Sequence, residues 1–182
     1  FFAVIKFGLR KKTKKEILGF FKNARLYEGY GATETGIVTA LRPEDQLTKL
    51  RSVGQAVFGK QVKILDPDGR ELAPGQIGEI YTRGINIFKE YFKNPESTRA
   101  AFRGDWCTVG DMAYADEEGY IFLVDRKNDM IISGGENIYP TEVENVIYQH
   151  PAVREAAIVG VPDDFWGESV KAVVLLKDGM NA

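Results

Sequence analysis

The seven residues Tyr30-Gly31-Ala32-Thr33-Glu34-Thr35-Gly36 bring together one aromatic ring, two glycines, two hydroxyls and one carboxylate. Gly31 lets a flat ligand lie against the backbone, and Tyr30 offers a ring to stack upon. The Thr33 hydroxyl and nearby amides can hold phosphate oxygens, and Glu34 can reach Mg²⁺, an ion that keeps several waters and takes few carboxylates. That is the inventory of a nucleoside triphosphate site. A strand-to-helix turn capped by Thr33 or Thr35 would use the same residues.

Two further stretches have chemical content. Trp106-Cys107-Thr108-Val109-Gly110-Asp111 ends on an acidic residue after a glycine, at a strand end. Such a carboxylate suits the two hydroxyls of a ribose, though a turn aspartate capping its own backbone reads the same way. Val124 to Glu144 runs through a charge cluster (Asp125 to Asp129), the apolar Met130-Ile131-Ile132, the pair Gly134-Gly135 and a helix initiated by Pro140. An ordered pattern of that length carries more information than either short motif.

These stretches need elements to position them. Residues 1–36 read strand, helix, strand, loop: Phe1 to Phe7 as a buried strand, and a helix with Thr13 and Glu16 as capping box and Ile17, Leu18, Phe20 and Phe21 as apolar face. Arg25 to Tyr30 then delivers the chain into the loop, as parallel strand-helix-strand units do. From about residue 50 to 125 the period shifts towards two. Gln61 to Leu65 and Arg70 to Leu72 flank the turn Asp66-Pro67-Asp68-Gly69, and Glu79 to Arg83 is another strand. Asn94 caps a helix with Pro95 in its first turn that runs through Phe102, and Asp116-Glu117-Glu118-Gly119 turns into Tyr120 to Val124. After the boundary at Asp125 to Asp129 come a strand at Met130, a loop from Ser133 to Asn137, and a helix from Pro140 to His150 with core face Val143, Val146 and Ile147. Val153 to Val161 and Val170 to Leu176 are strands.

Composition narrows the function. Against 24 Lys and Arg stand 26 Asp and Glu, and this balance makes no case for a nucleic-acid or membrane partner. The basic run Arg10 to Lys15 reads as a solvated helix start. Cys107 is the only cysteine and His150 the only histidine, so an internal disulfide, a thiolate metal cage and histidine catalysis are poor readings. No apolar run reaches the roughly 20 residues of a membrane span. The chain opens in a strand without an initiating Met and stops just after another, which predicts a piece of a longer, cytoplasmic protein.

With the three stretches in this order and spacing, nearly the whole chain resembles the adenylate-forming (AMP-binding) superfamily of acyl-CoA synthetases, peptide-synthetase adenylation domains and beetle luciferases. The resemblance implies the end of a large α/β domain (1–126, with an α/β portion over 1–49 and a small antiparallel β-barrel-like subdomain over 50–126). An incomplete small α+β domain (127–182) follows. It implies that Tyr30, Gly31 and Ala32 line the adenine, that Thr33 meets phosphate and that Glu34 serves Mg²⁺, these last two being the catalytic residues. Asp111 would hold both ribose hydroxyls, Arg126 would reach the ribose, and Gly134 and Gly135 would flank the thiol arm of CoA. Asn128 falls on the hinge position, usually Asp or Lys. Val109 stands where many relatives have Thr, and Glu90 where many have Gly; Trp166 to Ser169 resembles a segment near the CoA nucleotide, with core packing an equal reading of Trp166.

The implied reaction joins a carboxylic acid, expected to be fatty, to CoA through acyl-AMP, with ATP and Mg²⁺ as co-reactants. A domain loading a carrier protein and a non-catalytic nucleotide-binding homologue are the alternatives. The resemblance also places a phosphate loop before residue 1 and an adenylation lysine after residue 182, so the 182 residues alone are expected to be inactive.

Overall fold

The computed structural model describes residues 2–5, 9 and 11–180, and the chain divides into two units that meet between Leu123 and Val124. Of the strand expected over Phe1 to Phe7, the residues Phe1, Lys6 and Phe7 lie outside the described ones, as does Arg10 of the basic run.

The first unit starts with β1 (Phe2–Ile5), α1 (Lys11–Phe20) and β2 (Leu26–Ala32). β1 and β2 pair in parallel, Phe2 opposite Leu26, and a parallel pair needs a crossover such as α1 between its strands. The helix departs from the sequence reading. It is already formed at Lys11, so Thr13 lies inside it rather than at its cap. Phe20 and Phe21 are exposed, and Ile17 and Leu18 only half-buried. Its fully buried side chain is Lys14, so the basic run is not solvated throughout. The cause lies in β2, where period-two alternation turns Glu28 inward between Leu26 and Tyr30. A buried carboxylate needs a cation, and Lys14 Nζ stands 2.5 Å from Glu28 Oε1, while Glu28 Oε2 accepts the Leu9 amide at 2.6 Å.

β2 turns directly into β3 (Gly36–Leu41), with Ala32 opposite Gly36. The stretch Tyr30 to Gly36 is therefore the tip of an antiparallel hairpin, not an open loop or a strand-to-helix turn. Glycine at 31 is required by the pairing itself: a Cβ there would fall on the Gly36 carbonyl.

After a 3-10 turn at Pro43–Asp45 come β4 (Ser52–Ala56), β5 (Lys60–Leu65), β6 (Gly78–Gly84), α2 (Pro95–Ala100), β7 (Phe102–Arg103), β8 (Trp106–Cys107), β9 (Asp111–Ala115) and β10 (Ile121–Arg126). The sheet runs β1-β2-β3-β4-β10-β9-β6-β8-β7, with β5 on β6. Its pairs β2–β3, β3–β4, β4–β10, β5–β6 and β6–β9 are antiparallel. The mixed, mostly antiparallel architecture is as expected, but the sheet is open: β1 and β7 are its two ends, and no closed barrel forms among the described residues. Its core gathers Tyr30, Val38, Val53, Ile64, Ile80, Ala113 and Ile121.

The turn chemistry holds in detail. Gly69 donates its amide to Asp66 O at 3.0 Å, although the returning arm is reduced to one bridge between Leu65 and Glu71. Asn94 Oδ1 accepts the Ser97 amide at 3.0 Å, the expected cap, but α2 stops at Ala100 because Phe102 pairs in β7 opposite Cys107. Asp116 Oδ1 accepts the amides of Glu118 and Tyr120 at 3.0 and 2.9 Å.

The second unit contains a 3-10 turn at Lys127–Asp129, β11 (Ile131–Ser133), β12 (Glu136–Ile138), α3 (Pro140–Ile147), β13 (Val153–Asp163) and β14 (Gly167–Leu176) in a sheet of order β12-β11-β14-β13. Gly134 and Gly135, with φ of +58° and +86°, make the two-residue turn between β11 and β12, the expected loop being a tight hairpin. α3 ends three residues before His150. Of its expected core face, Val143 and Ile147 are half-buried and Val146 is exposed. Asp125, itself buried, accepts the Thr141 amide at 3.0 Å and so caps the start of α3 from a distant position in the sequence.

Candidate functional site

In the first unit the fold joins two stretches that lie 81 residues apart. Tyr30 Oη donates to Asp111 Oδ2 at 2.8 Å. Tyr30 stands at the end of β2 with its ring in the core, 5% exposed, and Asp111 opens β9 half-buried. The ring is therefore a packed support whose hydroxyl orients the carboxylate, in addition to any face it offers a ligand. The carboxylate is placed by a second device. Thr108 Oγ1 donates to Glu79 Oε1 at 2.9 Å and accepts the Gly110 amide at 3.0 Å, which fixes the turn (Gly110 φ +79°) just before Asp111.

At the hairpin tip Thr33 is exposed and Glu34 half-buried. Thr35 is buried and closes the turn: its Oγ1 accepts the Ala32 amide at 3.0 Å. It therefore acts as the local cap that the sequence offered to either threonine, and Thr33 is left facing outward. Glu34 is held by the segment after β6. Tyr91 Oη donates to Glu34 Oε1 at 2.8 Å, and Glu34 O accepts the Phe88 amide at 2.7 Å. Burial, then the Glu34 carboxylate, push the Tyr91 phenol up to about 12, so it remains a donor at neutral pH. Burial, then Glu34, likewise push the Cys107 thiol up to about 11, which makes this buried cysteine an unreactive packing group. Sequence reasoning gives no role to Tyr91, Thr108 or Glu79, although Thr108 lies within the Trp106 to Asp111 stretch and Tyr91 follows Glu90.

Among the described residues no group of three or more His, Cys, Asp or Glu could hold a metal ion. One half-buried carboxylate is nevertheless the donor set that Mg²⁺ uses when phosphates and waters fill its other positions. Glu34 fits that role, and the Tyr91 bond fixes one of its oxygens.

In the second unit Arg126 ends β10 in an exposed position and Asn128 lies in the following 3-10 turn, also exposed. The glycine turn packs on the β13–β14 connection: Gly134 donates its amide to Trp166 O at 2.9 Å, and a Cβ at 134 would stand 2.7 Å from Trp166 Cε3. Trp166 is 53% exposed, so it covers the turn rather than filling a core. Asp163 organises the connection by accepting from Phe165 N, Trp166 N and Ser169 Oγ, and the Ser169 bond above all holds its carboxyl below the usual range. No helix among the described residues is long and apolar enough to cross a membrane.

The family model for AMP-binding enzymes matches residues 7–92, and that for the AMP-binding enzyme C-terminal domain matches residues 142–182. The chain belongs to the adenylate-forming, AMP-binding superfamily. Within it, the chain is similar to the 2-succinylbenzoate–CoA ligases of Geobacillus kaustophilus (46% identical over 159 residues, 87% of this chain) and Bacillus subtilis (41% over 162 residues, 88% of this chain). It spans about a third of the length of these relatives, 32% and 33%. A solved structure of o-succinylbenzoate CoA synthetase (MenE) from Bacillus subtilis, in complex with the acyl-adenylate OSB-AMP, superposes with a TM-score of 0.88 at 36% identity, covering 98% of this chain and 37% of that one. The amide bond synthetase McbA from Marinactinospora thermotolerans superposes with a TM-score of 0.79 at 38% identity, covering 86% of this chain and 32% of that one.

Proposed function

We propose that the protein carrying this chain is an AMP-forming acid–CoA ligase, and that its acid is 2-succinylbenzoate or a close aromatic analogue. The observation that carries the nucleotide part is the Tyr30–Asp111 hydrogen bond, which sets a ribose-type acceptor beside the hairpin bearing Thr33 and Glu34. The names of the relatives favour 2-succinylbenzoate over the fatty acid expected from sequence.

A carboxylate is a poor electrophile because its carbon already shares negative charge. In the first step its oxygen attacks the α-phosphorus of ATP, the bond to the bridging oxygen breaks, and pyrophosphate leaves with acyl-AMP formed. Mg²⁺, when bound, would supply charge neutralisation in that step. Glu34, steadied by Tyr91, holds the metal side of the site, Thr33 donates to phosphate oxygen, and Asp111 accepts from the ribose hydroxyls. Tyr30, Gly31 and Ala32 line the adenine, and Arg126 reaches the ribose. In the second step the CoA thiol loses its proton and attacks the acyl carbon, and AMP leaves. Gly134 and Gly135 keep side chains away from the thiol arm. In this reading 1–126 belongs to the large domain and 127–182 to the small one, with Asn128 at the hinge.

The similarity to an amide bond synthetase favours a second reading, in which an amine rather than CoA takes the acyl group from the same acyl-AMP. The test is the full-length protein with ATP, Mg²⁺ and 2-succinylbenzoate. Acid-dependent pyrophosphate release followed by a CoA thioester supports the ligase. Pyrophosphate release with no thioester on adding CoA refutes it in favour of an amine or carrier-protein acceptor, and no acid-dependent release refutes adenylation altogether.

A further inference from the structure

Lys60, at the start of β5, is 8% exposed. Its ammonium donates to two backbone carbonyls, Thr35 O at 2.7 Å and Ile85 O at 2.5 Å. Both partners are neutral, and among the described residues no carboxylate pairs with it. Burial accordingly lowers its pKa. An ammonium buried without a carboxylate carries a desolvation cost, which two neutral carbonyl acceptors offset only in part. Packing alone therefore does not account for a lysine here.

The position of the ammonium does. Thr35 closes the turn that carries Thr33 and Glu34, and Ile85 begins the segment that reaches Glu34 through the Phe88 amide and the Tyr91 hydroxyl. Space for the lysine stem comes from Gly84: a Cβ there would fall on the Gly59 carbonyl and stand 3.2 Å from Lys60 Cδ. Three N–H donors on a flexible stem can bridge two carbonyls from different chain segments, which a shorter or planar side chain does less well.

We propose that Lys60 is a positioning residue for acyl-AMP formation, bridging the Thr35 and Ile85 carbonyls so that the Glu34 turn and the Ile85–Tyr91 segment keep one register. This rests on the nucleotide-site reading above.

The test is Lys60→Met in the full-length protein, which keeps the stem and removes the donors. Amide hydrogen exchange at Thr35 and Phe88 is expected to speed up at least tenfold, with Gly134 in the other unit unchanged. Acid-dependent ATP–pyrophosphate exchange is expected to fall roughly tenfold or more, the scale of a lost charged hydrogen bond. The Mg²⁺ concentration for half-maximal rate should rise, while thioester formation from supplied acyl-adenylate stays within twofold. Protection and exchange rate both within twofold of wild type would overturn the proposal, as would a uniform loss of protection with both half-reactions falling together. If Lys60→Met does not fold, Lys60→Gln is read on the same measurements. Wild-type protein without pyrophosphate exchange refutes the functional reading instead, and the local protection at Thr35 and Phe88 still decides the positioning role.

Discussion

Tyr30→Phe isolates the contact on which the proposed nucleotide site depends. The substitution deletes one oxygen and leaves the ring in the core cluster that also holds Val38, Val53 and Ile64, so no cavity of side-chain size forms. What is lost is a 2.8 Å hydrogen bond to the Asp111 carboxylate. Bonds to charged groups contribute about 1.5 to 3 kcal/mol, and the half-buried setting of Asp111 points to the lower end, about 1.5 kcal/mol. A carboxylate released from that bond must be re-ordered when it accepts from a ribose. At 1.4 kcal/mol per factor of ten, nucleotide affinity should therefore fall about tenfold. Calorimetric titration of the full-length variant with AMP reads this directly, and denaturant unfolding run alongside should show a loss of about 1 to 2 kcal/mol. AMP binding within a factor of two of wild type, with the stability loss present, would refute the claim that Tyr30 orients a ribose acceptor and leave it a core residue.

Tyr91→Phe removes the donor to Glu34 while keeping the ring stacked edge-on to Phe88, and should slow Mg²⁺-dependent acyl-AMP formation about tenfold with little change in AMP affinity, as measured by pyrophosphate exchange and calorimetry. The Tyr91 phenol lies above its ordinary value of 10.0, at about 12, so its contribution to stability is complete below pH 10 and is lost as pH rises towards 12. The unfolding difference between wild type and Tyr91→Phe should shrink over that window and stay flat below it. Thr108→Val leaves Glu79 and the Gly110 amide without their shared partner and should cost about 1 to 3 kcal/mol in unfolding free energy, with Thr108→Ser restoring most of it. Gly134→Ala places a methyl against Trp166 at a φ of +58° and should lower the stability of the second unit by about 1 to 3 kcal/mol. Adding Trp166→Ala should recover the steric part and not the backbone part, as seen by calorimetric melting.

Features encoded by neighbouring residues were legible in the sequence. Asn94-Pro95 set a helix start, Asp66 to Gly69 and Asp116 to Gly119 set turns, and the strand-helix-strand opening followed from hydrophobic period. Features decided by tertiary contact were not. Gly31 and Gly36 pair across a hairpin because β3 returns along β2, and nothing within the seven residues distinguishes that from a loop. The face of α1 was misread because Glu28, buried by its place in β2, draws Lys14 inward and leaves the phenylalanines at the helix end outside. The candidate residues Tyr30, Glu34 and Asp111 were proposed by type, since they stand in compact motifs, and the fold brings Tyr30 and Asp111 together. Their supports were not, because Tyr91, Lys60 and Thr108 reach their partners across 57, 25 and 29 positions of sequence.

The most direct measurement is a crystal structure of the full-length protein with its acyl-adenylate bound. The account predicts Asp111 oxygens at hydrogen-bond distance, about 2.7 to 3.0 Å, from both ribose hydroxyls, with Glu34 on the phosphate side and Arg126 at the ribose. An adenylate bound elsewhere, with Asp111 still occupied only by its protein partners, would contradict it.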